Sequence, residues 1–175
     1  MSHSLAVVVG NPKPASRTLD VARHVADAAA LSIGLDPEDA ITIDLATVAG
    51  ELFDPDSSTT AELLGEVSAA PLLIVASPTY KGTYSGLLKV FLDRLPHRGL
   101  EGRVAVPVMV GATPAHSLAV DVHLRPLLVE LGASVPSRGV YITEGDLGGV
   151  ADLAAEWASH AGPLLGSSLA TLAPA

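Results

Sequence analysis

Five short apolar runs rich in Val, Ile and Leu punctuate the chain, at residues 5–9, 41–45, 72–77, 104–110 and 139–143. They are continuous rather than alternating, the pattern of strands covered on both faces. Between and after them come patterns of helical period at about 17–31, 58–69, 85–95, 116–131 and 149–165. Strands that alternate with helices are βαβ units, and right-handed crossovers wind such units into a parallel sheet with helices on both faces. The expected architecture is α/β, a doubly wound five-stranded parallel sheet in the order 2-1-3-4-5.

Two helical patterns carry finer detail. In the third, Leu87, Phe91 and Leu95 recur at i, i+4 and i+8, while Lys89 and Asp93 form an i, i+4 charge pair on another face. In the fourth, Pro126 falls inside the pattern, where it cannot donate to the carbonyl of Val122 and its ring crowds that turn. A kink or a π-type bulge is expected over residues 121–125, and such bulges often mark functional positions. Residues 166–175 are expected to form a frayed tail.

Composition narrows the picture. A chain of 175 residues is one domain's worth, so residues 1–175 are read as a single domain. Hydrophobic residues make up 49% and charged residues 17%, yet no uninterrupted apolar run approaches the roughly 18 residues of a membrane span. The apolar excess then belongs to a buried sheet or to subunit interfaces. The N-terminus enters the first apolar run with neither a basic region nor a cleavage site, so a cytoplasmic protein is expected. The absence of cysteine excludes disulfides, a thiol nucleophile and a thiolate metal site. A net charge of −9, with the 10 Lys and Arg scattered along the chain, argues against a nucleic-acid partner. Aromatics are only 3%, so each Tyr or Trp needs its own reason for its place.

Three strand-to-helix junctions fall at the carboxyl edge of such a sheet, where open α/β sheets bind ligands. The loop after the first strand, residues 10–18, lacks both G-x-G-x-x-G and G-x-x-x-x-G-K-[ST]. Its chemistry still suits a phosphate: Ser16 and Thr18 carry hydroxyls, Arg17 a forked cation, and the helix start supplies free N–H groups. Read locally, Ser16 is also an ordinary helix N-cap. The loop after the third strand reads S-P-T-Y-K-G-T-Y-S-G over residues 77–86. Gly82 permits close backbone approach, Thr79 and Lys81 offer main-chain N–H groups, and Tyr80 can lie beside a planar ring. A turn with a structural tyrosine is the competing reading. Residues 82–86 are G-x-x-S-G rather than G-x-S-x-G, which argues against a serine hydrolase.

The loop after the fourth strand is built of the small residues Gly111, Ala112 and Thr113, and His116 closes it. Thr113 can bond a ligand's edge, and His116 is the histidine singled out by position; His3, His24, His97 and His160 read as surface or capping residues. His116 and His123 share a helical face without a third ligand, so no metal site is expected. The acidic positions show no paired-carboxylate arrangement, and Asp54 and Asp56 beside Pro55 read as turn residues.

Taken together, Gly10-Asn11-Pro12 with Ser16-Arg17-Thr18, the segment P-T-Y-K-G-T-Y-S-G-L-L-K-V-F-L-D-R-L, and Gly111-Ala112-Thr113 with His116 resemble the NADPH-dependent FMN reductase family, most nearly its alkanesulfonate-type members. The resemblance runs over about residues 5–143 and implies a flavodoxin-like fold. It implies that Asn11, Pro12, Ser16, Arg17 and Thr18 hold the FMN phosphate, and that Pro78, Thr79, Tyr80, Lys81 and Gly82 contact the isoalloxazine ring. Gly111, Ala112 and Thr113, with His116, match the other ring-contacting turn, though the family usually has a second glycine where Ala112 stands. At the bulged turn of the fourth helix, a tetramer interface in close relatives, this chain has Val122 and His123.

The activity implied by the resemblance is hydride transfer from NADPH or NADH to FMN, with reduced FMN passed to a flavin-dependent monooxygenase as partner. The cofactor carries that chemistry, so no catalytic side chain is expected. Two other readings compete: an NAD(P)H:quinone or azo reductase with bound FMN, and a flavodoxin-like electron carrier without turnover. Arg17, Lys81, Arg98 and Arg103 are all candidate partners of a 2′-phosphate, which leaves NADPH and NADH as alternatives. The apolar content points to self-association, as a homodimer or a homotetramer, and no membrane partner is expected.

Overall fold

The structure, a computed structural model, describes residues 3–172. Strands β1 (Leu5–Val9), β2 (Ala40–Asp44), β3 (Leu72–Pro78), β4 (Val104–Gly111) and β5 (Val140–Thr143) form one all-parallel sheet in the order β2-β1-β3-β4-β5. This is the predicted flavodoxin-like α/β order, and every strand lies within about one residue of its expected bounds. Helices α1 (Arg17–Ser32) and α5 (Val150–Leu172) cover one face, and α2 (Ser58–Ala69), α3 (Gly86–Leu92) and α4 (Arg125–Glu130) the other. Successive strand residues point to opposite faces, so Leu5, Val7 and Val9 enter the core under α1 and α5 while Ala6 and Val8 enter the other. Strands β1, β3 and β4 are buried throughout, whereas the edge strands β2 and β5 are partly exposed.

The approach of α3 to the end of β1 sets the spacing of the loops above the sheet. A Cβ built on Gly10 would stand 2.4 Å from the Leu88 Cβ and 2.9 Å from its Cα, so only glycine fits between strand and helix. Ser85 caps α3 by accepting from the Leu88 N–H at 3.1 Å, and its own hydroxyl donates to the Gly10 carbonyl. Ser77, in β3, accepts from the Ser85 N–H at 2.8 Å and donates to the Pro78 carbonyl at 2.9 Å. Helix α3 ends at Leu92 rather than at the predicted Leu95, because Pro96 drives the residue before it out of the helical region. Leu95 is buried all the same, and the expected Lys89–Asp93 pair forms at 2.5 Å.

The segment read as one helix over residues 116–131 is three pieces: a 3₁₀ turn at Pro114–His116, a π turn at Val120–Leu124, and α4. The predicted bulge is therefore present. The Arg125 N–H bonds to the Val120 carbonyl, five residues back, and Pro126 has no N–H to restore the ordinary pairing. Asp121 Oδ1 accepts from Arg125 Nε and Nη2 at 3.0 and 2.6 Å and from the Gly139 N–H at 3.1 Å. Arg125 also donates to the carbonyls of Val135 and Ser137 at 2.7 and 2.6 Å, which ties the bulge to the segment entering β5.

Helix α5 departs from expectation. It runs past Pro163 to Leu172, so residues 166–172 are helical rather than frayed, and residues 173–175 lie outside the described residues. Leu165 is buried and Leu169 packs on the same core one turn later, which holds the helix down beyond the proline.

Gly10→Ala is expected to lower stability by about 1–3 kcal/mol, the cost of overpacking a rigid contact, read as a lower urea midpoint at unchanged slope. Asp121→Ala strips three donors of their acceptor and is expected to cost about 1–3 kcal/mol, whereas Val122→Ala, on the exposed side of the same turn, should stay within about 0.5 kcal/mol of the parent.

Candidate functional site

The carboxyl ends of β1, β3 and β4 lie side by side in register, with Val9 opposite Ala76 and Pro78 opposite Val110, so the loops that leave them share one edge. In the loop from β1 to α1, Asn11 is buried and its amide is used internally. Its Nδ2 donates to Thr18 Oγ1 at 2.9 Å and its Oδ1 accepts from the Lys13 N–H at 2.9 Å. Ser16 is the N-cap of α1, its hydroxyl accepting from the Leu19 N–H at 3.3 Å, and both Ser16 and Thr18 are buried. These three side chains shape the loop, and the Ser16 and Thr18 hydroxyls, which only accept in these bonds, each keep a hydrogen to donate. Pro12 and Arg17 are exposed, and beside Arg17 lies the start of α1, whose first N–H groups have no helical partner.

Two acidic residues that sequence reasoning passed over frame this loop. Ala15 has φ +48°, a left-handed conformation costly for a residue with a Cβ, and its N–H donates to Asp44 Oδ2 at 3.0 Å. Asp44 ends β2, and its other oxygen accepts from the Ala46 N–H at 3.3 Å, so the carboxylate anchors two backbones at once. Arg17 Nη2 donates to Glu144 Oε1 at 2.9 Å, just past the end of β5. Asp44 lies inside the run 41–45 that reads simply as a strand, and nothing local marks Glu144 as the partner of a residue so far away in sequence.

In the loop from β3 to α3, Tyr80 and Thr83 exchange backbone hydrogen bonds of 2.8 and 3.1 Å around Lys81 and Gly82. Their φ values are +54° and +79°, and positive φ at both central residues is the two-residue hairpin turn of type I′. The Thr79 N–H, expected to be available to a ligand, donates to the Val110 carbonyl at 2.7 Å and ties this loop to β4. Tyr80 is half exposed. Thr79 Oγ1 is buried with no hydrogen-bond partner.

After β4, Gly111 has no room for a side chain: a Cβ there would stand 1.9 Å from Tyr141 Oη and 3.2 Å from Thr79 Oγ1. Tyr141 Oη donates to the Thr113 carbonyl at 2.9 Å, and the exposed Ala112 lies between the two fixed points. Thr113 caps the following 3₁₀ turn through the Ala115 N–H at 3.4 Å. His116, at the end of that turn, places Nδ1 3.9 Å from where a Gly82 Cβ would be, so the fourth-strand loop reaches the third-strand loop. Tyr141 was missed in the sequence; the rarity of aromatics in this chain was the signal that it had a specific task.

The donor set has two ends. Arg17 and the start of α1 suit an anion, while the Thr79 hydroxyl beside Gly111 is a buried polar position without a hydrogen-bond partner, as are those of Ser4 and Ser137 away from this edge. A cavity of about 670 Å³ lies elsewhere, outside β5 between the π turn and α5, with Leu118, Tyr141, Leu153, Trp157 and Leu164 in its walls. Among the described residues no three His, Asp or Glu side chains are grouped to hold a metal ion, and no helix is long and apolar enough to cross a membrane.

The profile of a family described as NADPH-dependent FMN reductase matches residues 4–147, which take in all five strands and all three loops. The chain belongs to that family. Among curated members, the FMN reductase (NADPH) of Pseudomonas aeruginosa PAO1 is 34% identical over 145 residues, 81% of this chain and 77% of that protein. The FMN reductase (NADPH) of Escherichia coli K12 is 45% identical over 86 residues, 49% of this chain and 45% of that protein. The NADH-dependent FMN reductase SfnF of Pseudomonas fluorescens Pf0-1 is 41% identical over 92 residues, 49% and 48% of the two chains. The matched stretch spans about half the length or less of several of these FMN reductases. Among solved structures, an apo NADH:FMN oxidoreductase superposes with a TM-score of 0.82 at 26% identity, covering 99% of this chain and 92% of that one. An oxidoreductase from Corynebacterium diphtheriae gives 0.81 at 28%, covering 98% and 96%.

Within this family fold, Tyr141→Phe removes the side-chain bond that holds the Thr113 carbonyl and is expected to cost about 0.5–1.5 kcal/mol, with faster amide exchange at Ala112 and Ala115 as the local signature.

Proposed function

We propose that the chain is an NAD(P)H-dependent FMN reductase that binds FMN at the carboxyl edge of β1, β3 and β4. The reading is carried by the pairing of an anion-suited end at Arg17 with an unpartnered buried hydroxyl at Thr79, on loops held at one spacing by Ser85. Family membership and two FMN-oxidoreductase relatives of different nucleotide preference support it. Arg17 and the N–H groups at the start of α1 would hold the phosphate, with Asn11, Pro12, Ser16 and Thr18 shaping the loop around it. Thr79, Tyr80, Lys81 and Gly82 would meet the ring together with Gly111, Ala112, Thr113 and His116, while Pro78 fixes the exit from β3. When bound, FMN supplies the hydride-accepting ring; the chain's task is position and exclusion of competing geometries, with no side chain as acid or base.

Reduced FMN would then pass to a flavin-dependent monooxygenase in the cytoplasm. Self-association as a homodimer or homotetramer has its support in the apolar surface around the π turn and α5, where Leu118 is 72% exposed and Val122, Leu153 and Leu164 are exposed as well.

The test is oxidation of NADPH and of NADH, each with and without added FMN: steady consumption that depends on FMN is expected, and no consumption under any condition overturns the reading. Arg17→Ala is expected to weaken FMN binding about tenfold, by loss of a charge-assisted bond, and to leave riboflavin binding unchanged. Tyr80→Ala, in contrast, is expected to weaken both flavins, and fluorescence titration separates the two effects.

A further inference from the structure

Arg17 is the first residue of α1, and Glu144 directly follows β5, whose last residue Thr143 is in register with Gly111. Their 2.9 Å bridge therefore runs along the carboxyl edge and joins residues 127 positions apart. Both partners are largely exposed, with side-chain accessibilities of 62% and 45%. Glu144 makes no other side-chain hydrogen bond among the described residues, whereas the neighbouring acids are occupied: Asp44 holds the N–H groups of Ala15 and Ala46, and Asp146 accepts from Thr143 Oγ1 at 2.5 Å. Lys13, the loop's other cation, forms no ion pair among the described residues.

We propose that Glu144 is a specificity-determining residue that occupies Arg17 as an internal stand-in for a phosphate, so that it lowers affinity for FMN relative to riboflavin and keeps the flavin exchangeable. The inference rests on the reading of Arg17 as a phosphate partner. Two effects act in the same direction. An exposed ion pair is weak enough for a phosphate, with its greater charge and forked match to guanidinium, to displace it, but part of the binding energy is lost in doing so. The displaced carboxylate then stays tethered near the new anion and repels it. Neither effect touches riboflavin, which carries the same ring and ribityl chain without the phosphate. A chain that uses flavin as an exchanging substrate needs such a limit on affinity, because release of the product otherwise governs turnover.

The experiment is equilibrium titration of FMN and of riboflavin into the full chain and its Glu144→Gln, Arg17→Ala and doubly substituted forms, by flavin fluorescence, with stopped-flow release of FMN. Glu144→Gln is expected to tighten FMN about three- to fivefold, the scale of an exposed ion pair, and to slow its release, with riboflavin unmoved. In the Arg17→Ala background the same change is expected to give a smaller gain. The specificity role is overturned if Glu144→Gln leaves the FMN constant unchanged while Arg17→Ala weakens it, or if FMN and riboflavin shift alike. If Arg17→Ala leaves FMN affinity unchanged, the phosphate assignment falls and this role falls with it, so the two failures are distinguishable.

Discussion

The hydroxyl of Ser85 joins two loops that the chain makes far apart. It donates to the Gly10 carbonyl and at the same time caps α3, while the Ser85 N–H is held by Ser77. This arrangement works only because Gly10 has no Cβ, which lets the first turn of α3 lie on the end of β1. Distance along the edge is then set by buried hydrogen bonds, which are costly to leave unmade and therefore rigid. A loop with an anion-suited end and a loop with a hydrogen-bonding end act as one site because this contact fixes their separation.

The edge strand β5 plays a comparable part on the other side. Tyr141 fills the space that a Gly111 side chain would take and holds the Thr113 carbonyl, so the small-residue loop after β4 is shaped by an aromatic from a different strand. The entry to β5 is itself tied to the π turn through Asp121 and Arg125. Pro126 makes the bulge, and the bulge places a carboxylate where it can serve three donors. A local backbone irregularity is thereby converted into a fixed position for a strand.

Electrostatics in this chain must be read locally. The net charge is −9, yet the start of α1 and Arg17 make a site suited to an anion. Asp44 and Glu144 sit close to it and differ in effect. Asp44 is fully used by backbone N–H groups and supports the strained Ala15, whereas Glu144 engages the very cation that an anion would seek. One carboxylate is committed to scaffolding and the other is paired to an exposed guanidinium, although both are acidic residues at the same sheet edge.

Strand bounds, strand order, the π turn and the identity of the three loops were legible in the sequence. Each depends on short-range physics: gap-free apolar runs mark strands covered on both faces, and a proline without an N–H must disturb the helix it interrupts. The same local logic fell short where tertiary contact decides. Ser16 and Thr18 read as ligand groups because polar side chains beside a helix start commonly are, and the fold adds a second use, since Asn11 and the Leu19 N–H donate to their oxygens within the loop. The Thr79 N–H read as free, and it belongs to Val110 of the next strand. Helix α5 outlasted Pro163 because Leu165 and Leu169 bury against a core assembled from other elements. The sequence by itself determined which elements form and which loops meet at the edge; the tertiary structure decided which polar groups remain free there, because a donor's partner is chosen through space after the chain has closed.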